Sequence, residues 1–174
     1  MVSEDWIEKS HDSWSVFKIM GELVEGYEKL SQLGPCVSIF GSARTKPDDK
    51  YYKKTIEISE DIVKLGLGVI TGGGPGIMEA ANKGAQKAGG VSVGLNIDLP
   101  YEQTHNEFID SDKVIDFDYF FVRKVMFVRY AQAFVVMPGG FGTLKMLQLK
   151  WLCYNLCRLV RKRSQYQLLF IVII

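Results

Sequence analysis

The sequence predicts an α/β fold, a parallel sheet with helices on both faces, and three observations support this. Short apolar runs alternate with helix-like segments along the 174 residues, as in successive βαβ units. Each run is continuously apolar, which is typical of strands buried on both faces of a sheet. Glycine-rich turns directly follow two of the runs, at the edge where such sheets bind their ligands.

The first half of the chain contains three predicted helices and three predicted strands. The first helix is amphipathic, since Phe17, Met20, Tyr27 and Leu30 recur at helical spacing. Proline and acids open the second helix, and paired glycines close the third. In chain order the elements are helix 14–32, strand 35–40, helix 47–65, strand 66–71, helix 77–88 and strand 91–96.

The second half begins with a polar segment, residues 97–112, whose length predicts a loop over a site. The next helix is rich in aromatic residues, which fits a core or dimer contact better than a base-stacking platform. In chain order the elements are strand 113–117, helix 119–131, strand 133–137, an apolar helix that begins at residue 144, and strand 167–174.

Length and composition indicate one globular domain over residues 1–174, with residues 1–34 as an N-terminal helical extension. The longest apolar run, 168–174, is far shorter than the ~20 residues of a membrane span. The acidic start does not resemble a signal peptide, so we expect a cytoplasmic protein that is not bound to a membrane. Three cysteines do not indicate a disulfide framework, and the isolated His11 and His105 do not predict a metal site.

Charge is distributed unevenly, although the net charge of +1 gives no overall field that would favour nucleic acid. Residues 145–174 contain six bases and no acid, so residues 1–144 hold all 20 acids and the other 15 bases, a net charge of −5. The last 30 residues also lack glycine and proline. A nucleic-acid tail, a membrane-surface helix and a segment of different origin stay open, and the Arg158–Arg163 run fits a solvated charged face best.

Two glycine-rich turns are the candidate phosphate-binding elements. Gly72–Gly76 and Gly139–Thr143 each follow a predicted strand and precede a predicted helix. Glycine lets backbone N–H groups converge on an anion, and the start of a helix adds favourable partial charge. Neither turn is a P-loop, because no Gly-Lys-Ser/Thr follows. A tight connection between strand and helix is the alternative interpretation of each.

A basic pair lies near the start of the aromatic helix. Arg123 and Lys124 follow Tyr119, Phe120 and Phe121. A guanidinium held among aromatic rings is better placed for bidentate phosphate or ribose contacts than a loose lysine. A solvated basic pair is the alternative.

These motifs, in this order, resemble the LONELY GUY (LOG) family. The resemblance is carried by Gly41–Arg44, Gly72–Asn82, Phe121–Lys124 and Pro138–Thr143. It extends from about Val37 to Leu144, and the ordered set is far more specific than a single glycine pattern. The family was earlier described as lysine decarboxylases, but pyridoxal phosphate would need a Schiff-base lysine that nothing here marks. We therefore predict no cofactor.

The resemblance implies a Rossmann-like fold, a homodimer with sites near its interface, and phosphoribohydrolase activity. Family enzymes hydrolyse the N-glycosidic bond of a nucleoside 5′-monophosphate, either AMP or a cytokinin riboside monophosphate, to the free base and ribose 5-phosphate. The family's Arg-Lys pair falls on Arg123 and Lys124, with Arg123 in a catalytic role. The other substrate-binding positions are Gly41, Ser42, Arg44, Gly72, Gly73, Gly74, Gly76, Glu102, Gly139, Gly140, Gly142 and Thr143.

The chain departs from the family motif at one chemically decisive position. The motif Pro-Gly-Gly-x-Gly-Thr-x-x-Glu supplies the expected catalytic carboxylate, and here that position is Met146. A thioether cannot accept a proton, and loss of an acid–base group costs about 10²–10⁴ in rate. Glu79 and Glu102 are the remaining candidate carboxylates. We therefore expect weak or absent hydrolysis, and a non-catalytic nucleotide- or phosphoester-binding protein is the alternative function.

Residues 145–174 carry this departure, and two interpretations of them stay open. One is a segment read out of frame or a degenerate gene end. The other is a genuine basic tail.

Overall fold

The computed structural model describes residues 4–98, 105–140, 143 and 169–172. Within them, helices and strands alternate along the chain. The elements are α1 (Glu4–Ser31), β1 (Cys36–Phe40), α2 (Lys50–Lys64), β2 (Gly68–Thr71), α3 (Ile77–Lys87), β3 (Ser92–Ile97), β4 (Val114–Phe117), α4 (Phe120–Tyr130), β5 (Ala131–Val136) and β6 (Leu169–Val172).

Local sequence signals explain most of these boundaries. The Asp49 side chain accepts a hydrogen bond from the Tyr51 N–H (2.7 Å) and caps the start of α2. Gly66, at φ +78°, ends the same helix in the left-handed region that glycine adopts readily. The predicted start of the first helix is wrong, because α1 begins at Glu4 and not at residue 14. The apolar period in the sequence begins only at residue 14, so it gives no signal for the earlier part of the helix.

The described strands form one parallel sheet in the order β4-β3-β2-β1-β5-β6. The chain adds β2, β3 and β4 on one side of β1, and then crosses back to place β5 on the other side. The gap between β1 and β5 is therefore the topological switch point, where open α/β sheets form a crevice.

Two apolar layers cover the sheet. Val37 and Ile39 of β1 pack with Ile77 and neighbouring residues on the face covered by α2 and α3. Cys36 and Phe40 pack with Phe127 on the face covered by α1 and α4. The predicted α/β fold with helices on both faces is confirmed. Among the helices that the structure describes, none combines the length and the apolar character that crossing a membrane requires.

Candidate functional site

The turns after β1 and β5 meet at the switch point. The Ser42 N–H donates to the Pro138 carbonyl oxygen (3.3 Å) and joins the two turns directly. A Cβ on Gly139 would lie 3.1 Å from the Ser42 nitrogen and would clash with the Thr143 hydroxyl. Glycine at position 139 therefore lets the two backbones and the Thr143 hydroxyl share one small space, as phosphate-binding turns require.

The turn after β1 also supports the glycine turn after β2. The Ser42 hydroxyl accepts a hydrogen bond from the Arg44 N–H (3.1 Å), and the Ser42 carbonyl accepts one from the Ile77 N–H (3.0 Å) at the start of α3. A Cβ on Gly41 would overlap the Ile77 side chain. The exposed Arg44 follows directly, so a cation borders the place where the turns meet.

Two glycines of the Gly72–Gly76 turn have positive φ angles, +76° at Gly73 and +70° at Gly76. A Cβ at Gly76 would lie 2.5 Å from the Ser42 carbonyl oxygen. At Gly73 a Cβ would overlap the Asn96 side chain. Gly76 therefore requires glycine for both backbone conformation and space, whereas Gly73 requires it for its backbone conformation.

Asn106 holds the carbonyl side of this turn. Its side-chain NH₂ donates to the carbonyls of Gly73 (3.0 Å) and Gly74 (3.1 Å), and its backbone N–H donates to Gly73 (2.8 Å). The same NH₂ lies 3.1 Å from the Asn82 side-chain oxygen. The segment after residue 104 is therefore fastened to the glycine turn. Residues 99–104 lie outside the described residues, and the loop over a site stays a prediction.

Asn82 is the fully buried centre of this network. Its oxygen accepts from the Thr71 hydroxyl (2.6 Å), and its NH₂ donates to the Ser92 hydroxyl (2.9 Å). The Thr71 hydroxyl in turn accepts from the Gly73 N–H (3.0 Å). One side chain on α3 thus ties β2, β3 and the glycine turn together. Buried polar groups satisfied in this way make a rigid edge.

Arg123 points at the same sheet edge from α4. Its Nε donates to the Leu95 carbonyl within β3 (2.6 Å) and its Nη2 to the Gly72 carbonyl just after β2 (3.0 Å). The Arg123 guanidinium also lies 5.6 Å from the centre of the Phe127 ring. The expected aromatic setting is therefore present, and these contacts give Arg123 a positioning function. Its predicted contact with substrate stays a prediction, as does that of the half-buried Lys124.

A carboxylate lies in the first turn of α3. The Tyr52 hydroxyl donates to Glu79 Oε1 (2.6 Å). Burial raises the pKa of the Tyr52 hydroxyl well above its usual value, and the hydrogen bond and negative charge of Glu79 raise it further. Tyr52 therefore stays protonated at neutral pH and holds Glu79 near the start of the helix.

The structure brings most of the predicted site residues to one edge of the sheet. Gly41, Ser42, Gly139 and Thr143 lie together at the switch point, and the Gly72–Gly76 turn contacts them through Ser42. Three predicted positions, Glu102, Gly142 and Met146, lie outside the described residues.

Three residues that hold this edge in place, Asn82, Asn106 and Tyr52, were not predicted as site residues. A polar residue inside an apolar helix pattern, as Asn82 is, was the available signal for one of them.

The fold and the arrangement of turns at this edge of the sheet define a Rossmann-like α/β protein with glycine-rich turns at its switch point. A model of the SLOG cluster4 family matches residues 35–165, and the chain belongs to this family. This family belongs to the SLOG superfamily, which includes LOG-like proteins. The matched region continues past Leu144, where the resemblance to the LOG motif ends.

This chain is also similar to individual proteins in sequence or in fold. An uncharacterized protein of Archaeoglobus fulgidus is 32% identical over 117 residues, which cover 67% of this chain and 70% of the relative. The crystal structure of TM1055 is 23% identical, with a TM-score of 0.56 over 66% of this chain and 67% of that one. The molybdenum cofactor binding protein of Rippkaea orientalis is 22% identical, with a TM-score of 0.57 over 80% and 90%. These two structures show the fold alone.

Proposed function

We propose that this chain binds a nucleoside 5′-monophosphate, with its phosphate between the Ser42 turn and the Gly139–Thr143 turn. The contact of the Ser42 N–H with Pro138 carries the proposal, because it joins two glycine-containing turns at the switch point. Backbone N–H groups and the Thr143 hydroxyl suit phosphate oxygens, and the exposed Arg44 adds positive charge. The free, buried Cys36 suits the cytoplasmic location that we also propose.

The LOG resemblance extends the proposal to phosphoribohydrolase chemistry. Cleavage of the N-glycosidic bond passes through an oxocarbenium-like state, which a carboxylate stabilises while it positions water. Methionine at position 146 cannot supply that carboxylate. Glu79 is a candidate replacement, but its Oε1 is already engaged by Tyr52. We therefore propose that hydrolysis is slower than in a protein with the motif Glu by about 10²–10⁴.

A non-catalytic nucleotide- or phosphoester-binding protein is the second candidate function. Met146 favours it, since a phosphate site without the carboxylate still binds. The Rippkaea orientalis protein of similar fold is a molybdenum cofactor binding protein, which supports binding as a function that this fold can serve.

Calorimetric titration with AMP and ribose 5-phosphate, run beside an adenine-release assay, tests both candidates. Binding with slow turnover supports the hydrolase, and binding without turnover supports the binder. Gly139→Ala should weaken binding at least about tenfold, because its Cβ enters the space between Ser42 and Thr143. Gly34→Ala is the matched control, since a Cβ there meets nothing within 4 Å and Gly34 precedes β1, at the opposite end of that strand from the site. The proposal fails if neither compound binds, or if the two variants bind equally well.

A further inference from the structure

The first turn of α4 places two half-exposed aromatic rings at the sheet edge that carries the candidate site. β4 ends at Phe117 and α4 begins at Phe120, so α4 starts at the carboxyl end of the sheet and runs back along it. Phe120 is 50% exposed and Phe121 is 49% exposed. The buried Phe127, two turns later, packs against Phe40 in the core. Core packing therefore accounts for Phe127 but not for the two rings of the first turn.

These two rings lie on different sides of α4. At roughly 100° per residue, Phe120 lies one turn before Arg123 on the same side of the helix, as positions i and i+3 do. Phe121 is only two residues from Arg123, and such positions do not face each other. The Phe121 ring instead lies 6.0 Å from the Tyr119 ring. Phe120 therefore borders the place that Arg123 reaches, whereas Phe121 does not.

Arg123 meets a side chain of α3 above Gly72. A Cβ on Gly72 would lie 2.7 Å from Arg123 Nη2 and 2.8 Å from Met78 Sδ, so both atoms border the space that this glycine leaves open. The Met78 methyl group would also lie 2.8 Å from a Cβ on Gly74. A guanidinium and a thioether, from helices on opposite faces of the sheet, thus form a floor over the start of the glycine turn.

The start of α4 is held in place by α1. The Glu22 carboxylate accepts hydrogen bonds from the backbone N–H groups of Asp118 and Tyr119, which lead into the helix. A negative charge is favourable at the start of a helix. Arg123 is fixed as well, by its two carbonyl acceptors. The floor and the Phe120 wall beside it are therefore preorganised, which lowers the entropy cost of binding a ligand there.

The floor lies beside the proposed phosphate position. Ser42 follows β1 and Gly72 follows β2, the neighbouring strand. Since neighbouring strands are about 4.8 Å apart, a phosphate between the turns after β1 and β5 lies roughly 7 Å from Gly72 across the sheet. This spacing leaves room for one ribose between the phosphate and the floor.

The side chains around the floor suit a planar aromatic base. Bases stack on aromatic rings and on guanidinium planes, and a thioether makes favourable contacts with aromatic rings. We propose that Met78, Arg123 and Phe120 form the subsite for the base of the nucleoside 5′-monophosphate, with the Phe120 ring stacked on the base. This inference rests on the proposed function, because the phosphate site sets where the base lies. Neither Met78 nor Phe120 is among the positions that the LOG resemblance assigns to substrate.

Calorimetric titrations with AMP and ribose 5-phosphate, which differ by the base, measure the contribution of the subsite. The wild type should bind AMP at least about tenfold more tightly than ribose 5-phosphate. Phe120→Ala should lose most of that difference and bind ribose 5-phosphate as the wild type does, whereas Phe120→Tyr should keep the difference. Phe121→Ala is the matched control, because it removes the same type of ring, with nearly the same exposure, from another side of α4.

The two compounds separate failure of the subsite from failure of the phosphate site. If ribose 5-phosphate binds and AMP binds no more tightly, the base subsite is wrong and the phosphate site stands. Equal losses of AMP affinity in Phe120→Ala and Phe121→Ala, or no loss in Phe120→Ala, would also overturn the subsite. Absence of binding by both compounds would overturn the proposed function and the subsite together.

The methyl resonance of Met78 tests the floor without any change at Phe120. In protein with isotope-labelled methionine methyl groups, Met78→Leu identifies the Met78 signal. AMP should shift this signal upfield through the ring current of the base, and ribose 5-phosphate should leave it in place. A Met78 signal that AMP does not move, or that both compounds move equally, would contradict a base at this floor.

Discussion

Replacing Gly76 with alanine perturbs the contact between two turns of the candidate site, and Gly89 supplies a matched control. Both glycines have φ +70°. At Gly76 a Cβ would lie 2.5 Å from the Ser42 carbonyl oxygen and 2.7 Å from the Ala43 carbonyl carbon. At Gly89 a Cβ would meet nothing within 4 Å. The two substitutions therefore share the backbone strain and differ in the clash.

The expected magnitudes follow from these two terms. A positive φ costs a residue with a Cβ about 1–2 kcal/mol, so Gly89→Ala should lower the free energy of unfolding by about that amount. Gly76→Ala adds a clash with backbone atoms, which cannot rotate away as a flexible side chain can. Overpacking of this kind costs roughly 1–3 kcal/mol more, which gives a total of about 2–5 kcal/mol.

Urea denaturation of the two variants measures the difference, with the slope of the transition checked for constancy. Gly76→Ala should also weaken binding of ribose 5-phosphate, because the Ser42 turn must shift, whereas Gly89→Ala should leave binding unchanged. Equal losses of stability in the two variants would refute the inferred contact between the turns.

Three other predictions follow from the contacts of Asn106 and Arg123 and from the burial of Cys36. Asn106→Asp should lower the free energy of unfolding by about 2–4 kcal/mol in urea titrations. The carboxylate has no N–H to donate, so it would face the carbonyl oxygens of Gly73 and Gly74 without a hydrogen bond. An unchanged denaturation midpoint would contradict this. Arg123→Lys should lower the melting temperature and weaken phosphate binding. Lysine lacks the planar guanidinium that donates to the Leu95 and Gly72 carbonyls together. Wild-type values of both quantities would show that the guanidinium is dispensable. Burial raises the pKa of the Cys36 thiol from 9.0 to about 11, so the thiolate forms first in the unfolded chain. The free energy of unfolding should therefore be at its full value below pH 9 and fall by about 2–3 kcal/mol between pH 9 and 11. Cys36→Ala should flatten this pH dependence. A pH dependence of unfolding in the variant that equals that of the wild type would count against the prediction.

The strands and the glycine turns could be predicted because their signals are local. An apolar run such as 35–40 or 66–71 is bounded by glycine or proline within the same few residues. The parallel arrangement followed from the alternation of strands and helices. The start of α1 could not be predicted from apolar spacing, because its first residues lack the period that packing imposes.

The hydrogen-bond network around the Gly72–Gly76 turn depends on contacts between residues that are distant in the sequence, which the sequence alone does not reveal. Asn82 and Asn106 are 24 positions apart in the chain, and they meet only because β2 and β3 are neighbours in the sheet. Likewise, Ser42 and Pro138 meet because the strand order brings β5 beside β1. The residue types at the site were readable from the sequence, whereas the partners that fix them were not.

Amide chemical shifts measured during a titration with ribose 5-phosphate would report directly on a phosphate site between the turns after β1 and β5. We expect saturable shifts at the amides of Gly41, Ser42, Gly139 and Gly140, with Gly89 unaffected. Shifts that are absent from these four amides at saturating ligand, or that lie at a different edge of the sheet, would contradict it.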